Sequence, residues 1–288
     1  MNNDKTFYPF RVDGPTCISF SGGRTSAYLL WRVLQAHGGK LPEEAQVLFC
    51  NTGKEEEATL RFVRDCGQRW GVDIVWLEYT GGGQWVECGF DSAARSGEPF
   101  EAVIDQRGGN LPNRMARYCS SELKTRTMHR YLRWSGWTEW DSFIGIRADE
   151  PRRVARFREN PHPETKAETV DMPLVWAGVG AAEVGEFWKA QPFDLELPNN
   201  GGKTMHGNCD LCFLKPAAQV QSLIAEKPAR AVWWAKQEAK AFSAGIGWSG
   251  SRFRSDRPGY AAMKLMAEQQ IPLQGFEHEE ALACFCGD

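Results

Sequence analysis

Apolar and polar positions fall into units that repeat along the first half of the chain. Thr16 to Phe20 is a short apolar run that stops at Ser21 and two glycines. Ser26 to His37 follows, with Tyr28, Leu29, Val33 and His37 at helical spacing. The pattern predicts a strand, a tight loop and a helix. It recurs as Val47–Cys50, the polar turn Asn51-Thr52-Gly53, and a helix over 55–70 with Leu60, Val63 and Gly67 on one side. Val72–Tyr79 predicts a third strand and Ser142–Ile146 a fourth. Strands alternating with helices predict an α/β fold with a doubly wound, mostly parallel sheet, whose ligands sit at the carboxyl ends of the strands.

Glycines and polar residues from Gly81 to about Asn113 predict a long binding loop or lid, ahead of a helix over about 121–134. Beyond Pro173 the apolar spacing is helical in pieces, over 181–190, 216–226, 230–242 and 258–269. A Pro- and Gly-marked loop from Leu197 to Gly207 leads into Cys209. The expected organisation is an α/β core over 1–175 and a helical, cysteine-bearing C-terminal extension over 176–288.

The chain has 288 residues, enough for a large core, and its 25% charged and 42% hydrophobic content lies far from the disordered range. A net charge of −3 supplies no global attraction to nucleic acid or to an anionic membrane. A nucleic-acid partner is therefore unsupported, though a local basic patch is compatible with the sequence. The start of the chain has no apolar signal core, and no stretch approaches the roughly 18 apolar residues of a membrane span. The expectation is a cytoplasmic protein without a membrane partner. The sequence is silent on oligomeric state. Nine cysteines in a reducing compartment point to metal or redox chemistry over a disulfide framework.

Ser21-Gly22-Gly23-Arg24-Thr25-Ser26 combines a glycine turn with a helix amino terminus, where successive N–H groups and the helix dipole favour an anion. Gly22 and Gly23 admit a phosphate close to the backbone; Ser21, Thr25 and Ser26 add hydroxyls, and Arg24 a forked cation. The plainer alternative is a capped strand-to-helix turn. The loop lacks both the GxxxxGK[ST] and the GxGxxG spacing, which disfavours Walker-type and Rossmann sites. Cys209 and Cys212 form a CxxC, a spacing that brings two thiolates to one metal, and Cys284 and Cys286 form a CxC. With Cys119 they make five candidates for four positions; buried cysteines without a ligand role are the alternative. Among the cations, Arg114, Arg117, Lys124 and Arg126 precede the fourth strand, while Arg147, Arg152 and Arg153 follow it. Both sets are expected to converge on the phosphate-loop edge, the alternative being solvated charges with local pairs such as Glu150–Arg153. Arg252, Arg254 and Arg257 read as a surface loop, with a phosphate or RNA contact as the second reading. His206 stands near the CxxC.

Here the chain resembles the PP-loop superfamily, whose loop reads SGGxDS, and within it the phosphoadenosine phosphosulfate (PAPS) reductase-like family. Asn51-Thr52-Gly53-Lys54-Glu55 with Glu57 and Thr59 is similar to that family's (D/N)TGxExxET segment. Arg117-Tyr118-Cys119 with Leu123-Lys124 is similar to RxCxxxLK, and Gly145–Glu150 to GxRxxE, with Arg153 slightly early for the arginine that follows. The matches keep family order over about residues 16–215. The resemblance implies an adenine nucleotide, ATP or PAPS/APS, with magnesium as a further expectation. Its binding residues would be Ser19, Ser21, Gly22, Gly23, Arg24, Thr25, Ser26, Asn51, Thr52, Gly53, Glu55 and Arg153. Thr25 departs from the pattern, standing where ATP-using members carry Asp.

The iron–sulfur members carry a Cys-Cys pair and a downstream CxxC, whereas this chain has Tyr118-Cys119. The resemblance thus implies Cys119, Cys209 and Cys212 as ligands, completed by Cys284 or Cys286 with Cys284 preferred, on a [4Fe-4S] cluster, zinc being the alternative. Arg147 and Lys124 are the implied catalytic cations. Three functions follow. The first is ATP-dependent adenylation with sulfur transfer. The second is sulfonucleotide reduction, with Cys286 as nucleophile and a thiol or sulfur donor protein as partner. The third is a non-catalytic nucleotide or cluster sensor.

Overall fold

A computed structural model describes residues 8–200, 203–204, 206–207, 209–276 and 279. Cys284 and Cys286 lie outside the described residues. The fold is α/β, built on a six-stranded sheet in the order β4-β3-β2-β1-β5-β6. Strand β1 is Thr16–Ser19, β2 Ala45–Asn51, β3 Ile74–Gly81, β4 Gln84–Cys88, β5 Trp140–Ile144 and β6 Glu168–Asp171. All neighbours are parallel except β3 and β4, which form a hairpin. Helix α1 (Arg24–Ala36) follows β1 and α2 (Glu57–Trp70) follows β2, so the two expected strand-turn-helix units are present.

Inside the stretch expected to be one long loop lie β4 and helix α3 (Glu98–Gln106). Glycines 81 to 83 all adopt positive φ, which makes them the hairpin turn and not a lid. The next helix arrives as a turn at Tyr118–Ser120, a π-helical turn at Ser121–Thr125 and then α4 (Arg126–Trp134). Helix α5 (Pro151–Glu159) follows β5, and β6 leads into the short helix α6 (Pro173–Trp176).

The sheet buries one face under α1 and α2. Ile18, Val47 and Phe49 meet Leu30, Val33, Leu60 and Val63 there. Helix α7 (Ala181–Lys189) joins that core through Trp188, whose ring packs edge-on to Phe62 at 4.9 Å. The other face packs Cys17, Leu48, Cys50 and Leu77 against Met128, Tyr131 and Leu132 of α4. A separate apolar core joins α3 to the helices α8 (Ala217–Glu226), α9 (Arg230–Ser243) and α10 (Tyr260–Glu268) around Phe100, Trp234 and Phe253. Between α7 and α8 lie the short paired strands β7 (Asn199–Asn200) and β8 (Lys203–Thr204). Among the described residues no helix is long and apolar enough to cross a membrane.

Candidate functional site: a glycine loop beside a cavity

Strand β1 ends at Ser19 and the chain turns through Gly22, at φ 78°, into α1, whose N-cap is the extended residue Gly23. That N-cap has no side-chain hydrogen bond, so the cap residue itself leaves the first-turn N–H groups of α1 unsatisfied. Ser26 staples the loop: its hydroxyl accepts from the Ser21 N–H at 3.2 Å and the Ser21 hydroxyl at 2.9 Å, and donates to the Gly23 carbonyl at 3.0 Å. Gly22 is required twice over. A Cβ there would lie 2.6 Å from Cγ2 of Thr59 and 3.2 Å from Cγ2 of Val63, in a backbone region that other residues avoid.

Arg24 does not turn toward the loop's interior. It makes a bidentate pair with Asp194, both contacts at 2.7 Å, and donates to the Leu197 carbonyl and the Thr204 hydroxyl. It thereby ties Asp194, Leu197 and Thr204 to the start of α1. Arg24→Ala is expected to speed amide hydrogen exchange around Asp194 and Leu197 while leaving β1 and β2 protected, as hydrogen-exchange mass spectrometry would show. Arg147 stands on the same side. It donates to Thr25 Oγ1 at 3.1 Å and to Asp149 at 2.9 Å, and together with the Ala181 N–H it holds the Asp149 carboxyl below its ordinary pKa despite burial.

On the other side of the loop a cavity of about 320 Å³ runs along the sheet face covered by α4. Strand alternation decides its walls. Cys17 and Ser19 of β1, Ser142 and Ile144 of β5, and Glu168 and Val170 of β6 point to one face and all line it. Ser21, Gly145, Lys124, Arg152, Arg153 and Arg156 line its end beside the loop. Phe20, Met128, Leu132 and Phe157 make the walls apolar. The π-helical turn displaces Lys124 from the register of α4, a device that recurs at functional sites. Arg153 is held at 2.6 Å by Glu150, as its spacing suggested. Arg156 shares the α5 face with Arg152 and Arg153. Burial and the nearby Arg117 lower its pKa, so the site favours an anion at this end.

The segment after β2 is structural at its start. Asn51 is fully buried; it donates to Glu78 at 2.6 Å and to the Ala94 carbonyl, and accepts from the Gly53 N–H. Gly53, at φ 73°, would put a Cβ 2.9 Å from the Cα of Gly97. Thr52 and Glu55 face Cys209 and Lys124 instead. Thr52 donates to Glu55 at 3.1 Å and lies 3.4 Å from Cys209 Sγ, while Lys124 Nζ reaches Glu55 at 3.2 Å.

Cys119, Cys209 and Cys212 line one small pocket with Phe100, Phe213 and Trp234, and Lys124 lines this pocket as well as the large cavity. Two buried lysines stand behind the CxxC. Lys54 pairs with Asp210 at 3.1 Å, and Lys215 donates to the carbonyls of Cys209 and Asp210. Burial lowers the Lys215 pKa against the pull of Cys212 and Asp210. Among the described residues no three His, Cys, Asp or Glu side chains are gathered tightly enough to hold a metal ion as they stand.

Other sequence candidates lie elsewhere. Arg114 pairs with Asp256, and Arg126 with Glu122 and Glu164. Arg254 and Arg257 are buried, bonding to the carbonyls of Phe213 and Lys215, so the loop they occupy is tied to the CxxC segment. His206 is 2.8 Å from Glu226. Sequence reasoning missed Arg156, His129, Ser142 and Glu168, all lining the cavity. Strand alternation in β5 was a signal for Ser142, whereas the polar, four-residue β6 offers none for Glu168.

No family model matches the chain. It is 29% identical over 213 residues, 70% of this chain and 67% of the other, to an uncharacterized nin region protein, ORF290, of Escherichia phage lambda. It is 28% identical over 165 residues to an uncharacterized protein of Methanocaldococcus jannaschii, covering 57% of this chain and 29% of that protein.

Proposed function

We propose that the chain is a PP-loop enzyme of the PAPS reductase-like kind, which binds an adenine nucleotide and uses it in adenylation followed by sulfur transfer. One observation carries the reading. The glycine loop opening α1 lies beside a cavity with a cationic end, and Lys124 lines both that cavity and the cysteine pocket. The uncapped N–H groups of α1 suit a phosphate, and Lys124, Arg152, Arg153 and Arg156 neutralise its neighbours.

The cysteine pocket is the place where a thiolate-held group would sit, although its three thiols would have to draw closer to share one ion. Three thiols from two segments line it among aromatic walls, with Lys54 and Lys215 behind them to offset negative charge. Cys119, Cys209 and Cys212 would hold it, with Cys284 as the expected fourth ligand. A [4Fe-4S] cluster bound there supplies redox or sulfur-binding chemistry, and zinc is the other thiolate-compatible choice. In the adenylation step an acceptor oxygen bonds to the α-phosphorus and the α–β phosphoanhydride breaks, releasing pyrophosphate. A sulfur nucleophile then forms its bond to the activated carbon as AMP leaves. Lys124 and the α5 arginines stabilise the charge that builds on the phosphates.

One feature favours a second reading, sulfonucleotide reduction. Thr25, hydrogen-bonded to Arg147, puts no carboxylate on the loop to help hold magnesium for a β,γ-pyrophosphate. The test is direct. Protein purified without oxygen is expected to carry iron and sulfide, to lose both in Cys209→Ser, and to bind ATP. AMP and pyrophosphate formation supports adenylation, sulfite release from PAPS or APS supports the reductase, and nucleotide binding without either supports a sensor. A metal-free protein that binds no adenine nucleotide sinks the proposal.

A further inference from the structure

The large cavity changes character along its length. Cations and the loop residue Ser21 stand at one end, Phe20, Met128 and Leu132 in the middle, and a buried polar group at the other. Register places that group. Ile144 of β5 pairs with Ser19, whereas Glu168 of β6 pairs with Trp140, four residues earlier, roughly 13 Å back along the strands. There Ser142 donates to Glu168 Oε1 at 2.7 Å. Glu168 Oε2 and His129 Nε2 lie 3.2 Å apart, yet both are shut from solvent and neither has a hydrogen-bond partner. Glu168 is 5% and His129 7% exposed. Buried polar atoms left unsatisfied are rare in folded proteins, because each forfeits its hydration.

We propose that Glu168 and His129 read the base of the nucleotide, which enters with its phosphates at the loop and its ring against the β5–β6 end of the cavity. This rests on the nucleotide reading above and goes beyond it by assigning the orientation and the residues that read the base. An incoming amino group displaces the unsatisfied Glu168–His129 contact and donates to Oε2, while the His129 Nε2–H donates to the ring nitrogen beside it. One donor next to one acceptor is the edge of adenine. Guanine presents two adjacent donors, which call for both carboxylate oxygens, and Ser142 already occupies Oε1. Ser142 is thus a positioning residue that fixes which oxygen faces the ligand.

Calorimetric titration of the whole protein with ATP, purine riboside 5′-triphosphate (hydrogen in place of the amino group) and ITP tests the assignment. ATP is expected to bind about tenfold or more tightly than the other two, since a site built around a hydrogen bond rejects the analogue that lacks it. Glu168→Gln keeps an oxygen for Ser142 and offers N–H where Oε2 stood, facing the amino group of ATP with a donor, so it is expected to abolish the preference for ATP over ITP. If the variant does not fold, the wild-type comparison decides. Equal wild-type affinities for ATP and the purine analogue overturn the base assignment and leave nucleotide binding intact. Binding of none of the three overturns both.

Discussion

Replacing Gly22 with alanine is expected to destabilise the protein by about 2 to 5 kcal/mol and to abolish nucleotide binding in whatever folds. Two costs combine. A left-handed conformation strains a residue with a Cβ by ~1–2 kcal/mol, and overpacking adds ~1–3 kcal/mol. The new methyl would meet Thr59 at 2.6 Å and also approach Phe49 and Val63, all in the packed interior of β2 and α2. Relief requires the loop to lift from α2, which reorients the N–H groups at the start of α1. Denaturant melts report the first effect and nucleotide titration the second. A variant with wild-type stability would mean that the turn does not need positive φ. Gly71→Ala is the control, since its φ of 63° carries strain but nothing lies within 4 Å of its Cβ.

The second large effect concerns Lys124 and Glu55. The Glu55 side chain is 1% exposed and that of Lys124 12% exposed, so Lys124→Met leaves a buried carboxylate without its cation. Removing one partner of a buried pair costs about 3 to 5 kcal/mol, whereas replacing both is far milder. Glu55→Gln combined with Lys124→Met is therefore expected to recover at least half of the lost stability in denaturant melts. Nucleotide affinity separates structure from function. If Lys124 meets the ligand, the double variant regains stability but not binding. If the lysine only neutralises Glu55, both return together.

Much of the core was legible because its elements are locally consistent. Apolar runs ending in Gly or polar turns gave β1, β2, β3 and β5, and the helical spacing of Leu60 and Val63 gave α2. What escaped did so for physical reasons. Helix α5, PRRVARFRE, buries only Val154 and has no apolar stripe to detect. Strand β6 is four residues long and turns Glu168 and Asp171 to buried positions, so its polarity resembles a loop. The glycines at 81–83 concealed a hairpin, because turn and lid share one composition.

The site divides in the same way. The glycine turn into α1 and the shared pocket of Cys119 and the CxxC follow from contiguous motifs. Arg24 looks like a phosphate ligand in sequence, and its Asp194 partner stands 170 residues away with no local signal. Glu168 and His129 become a pair only through the β5–β6 crossover and the packing of α4.

The Arg24–Asp194 pair also sets an order of assembly. Contacts that distant in sequence close late in folding, after the loop entropy between them is lost. As the chain leaves the ribosome, β1, the glycine turn and α1 can be in place long before Asp194 emerges. A nascent chain stalled short of residue 194 would display the glycine loop without the Asp194 and Leu197 contacts that hold Arg24. Maturation of the proposed nucleotide site is thus tied to synthesis of the region that also supplies Cys209 and Cys212, so an exposed glycine loop is a property of the unfinished polypeptide.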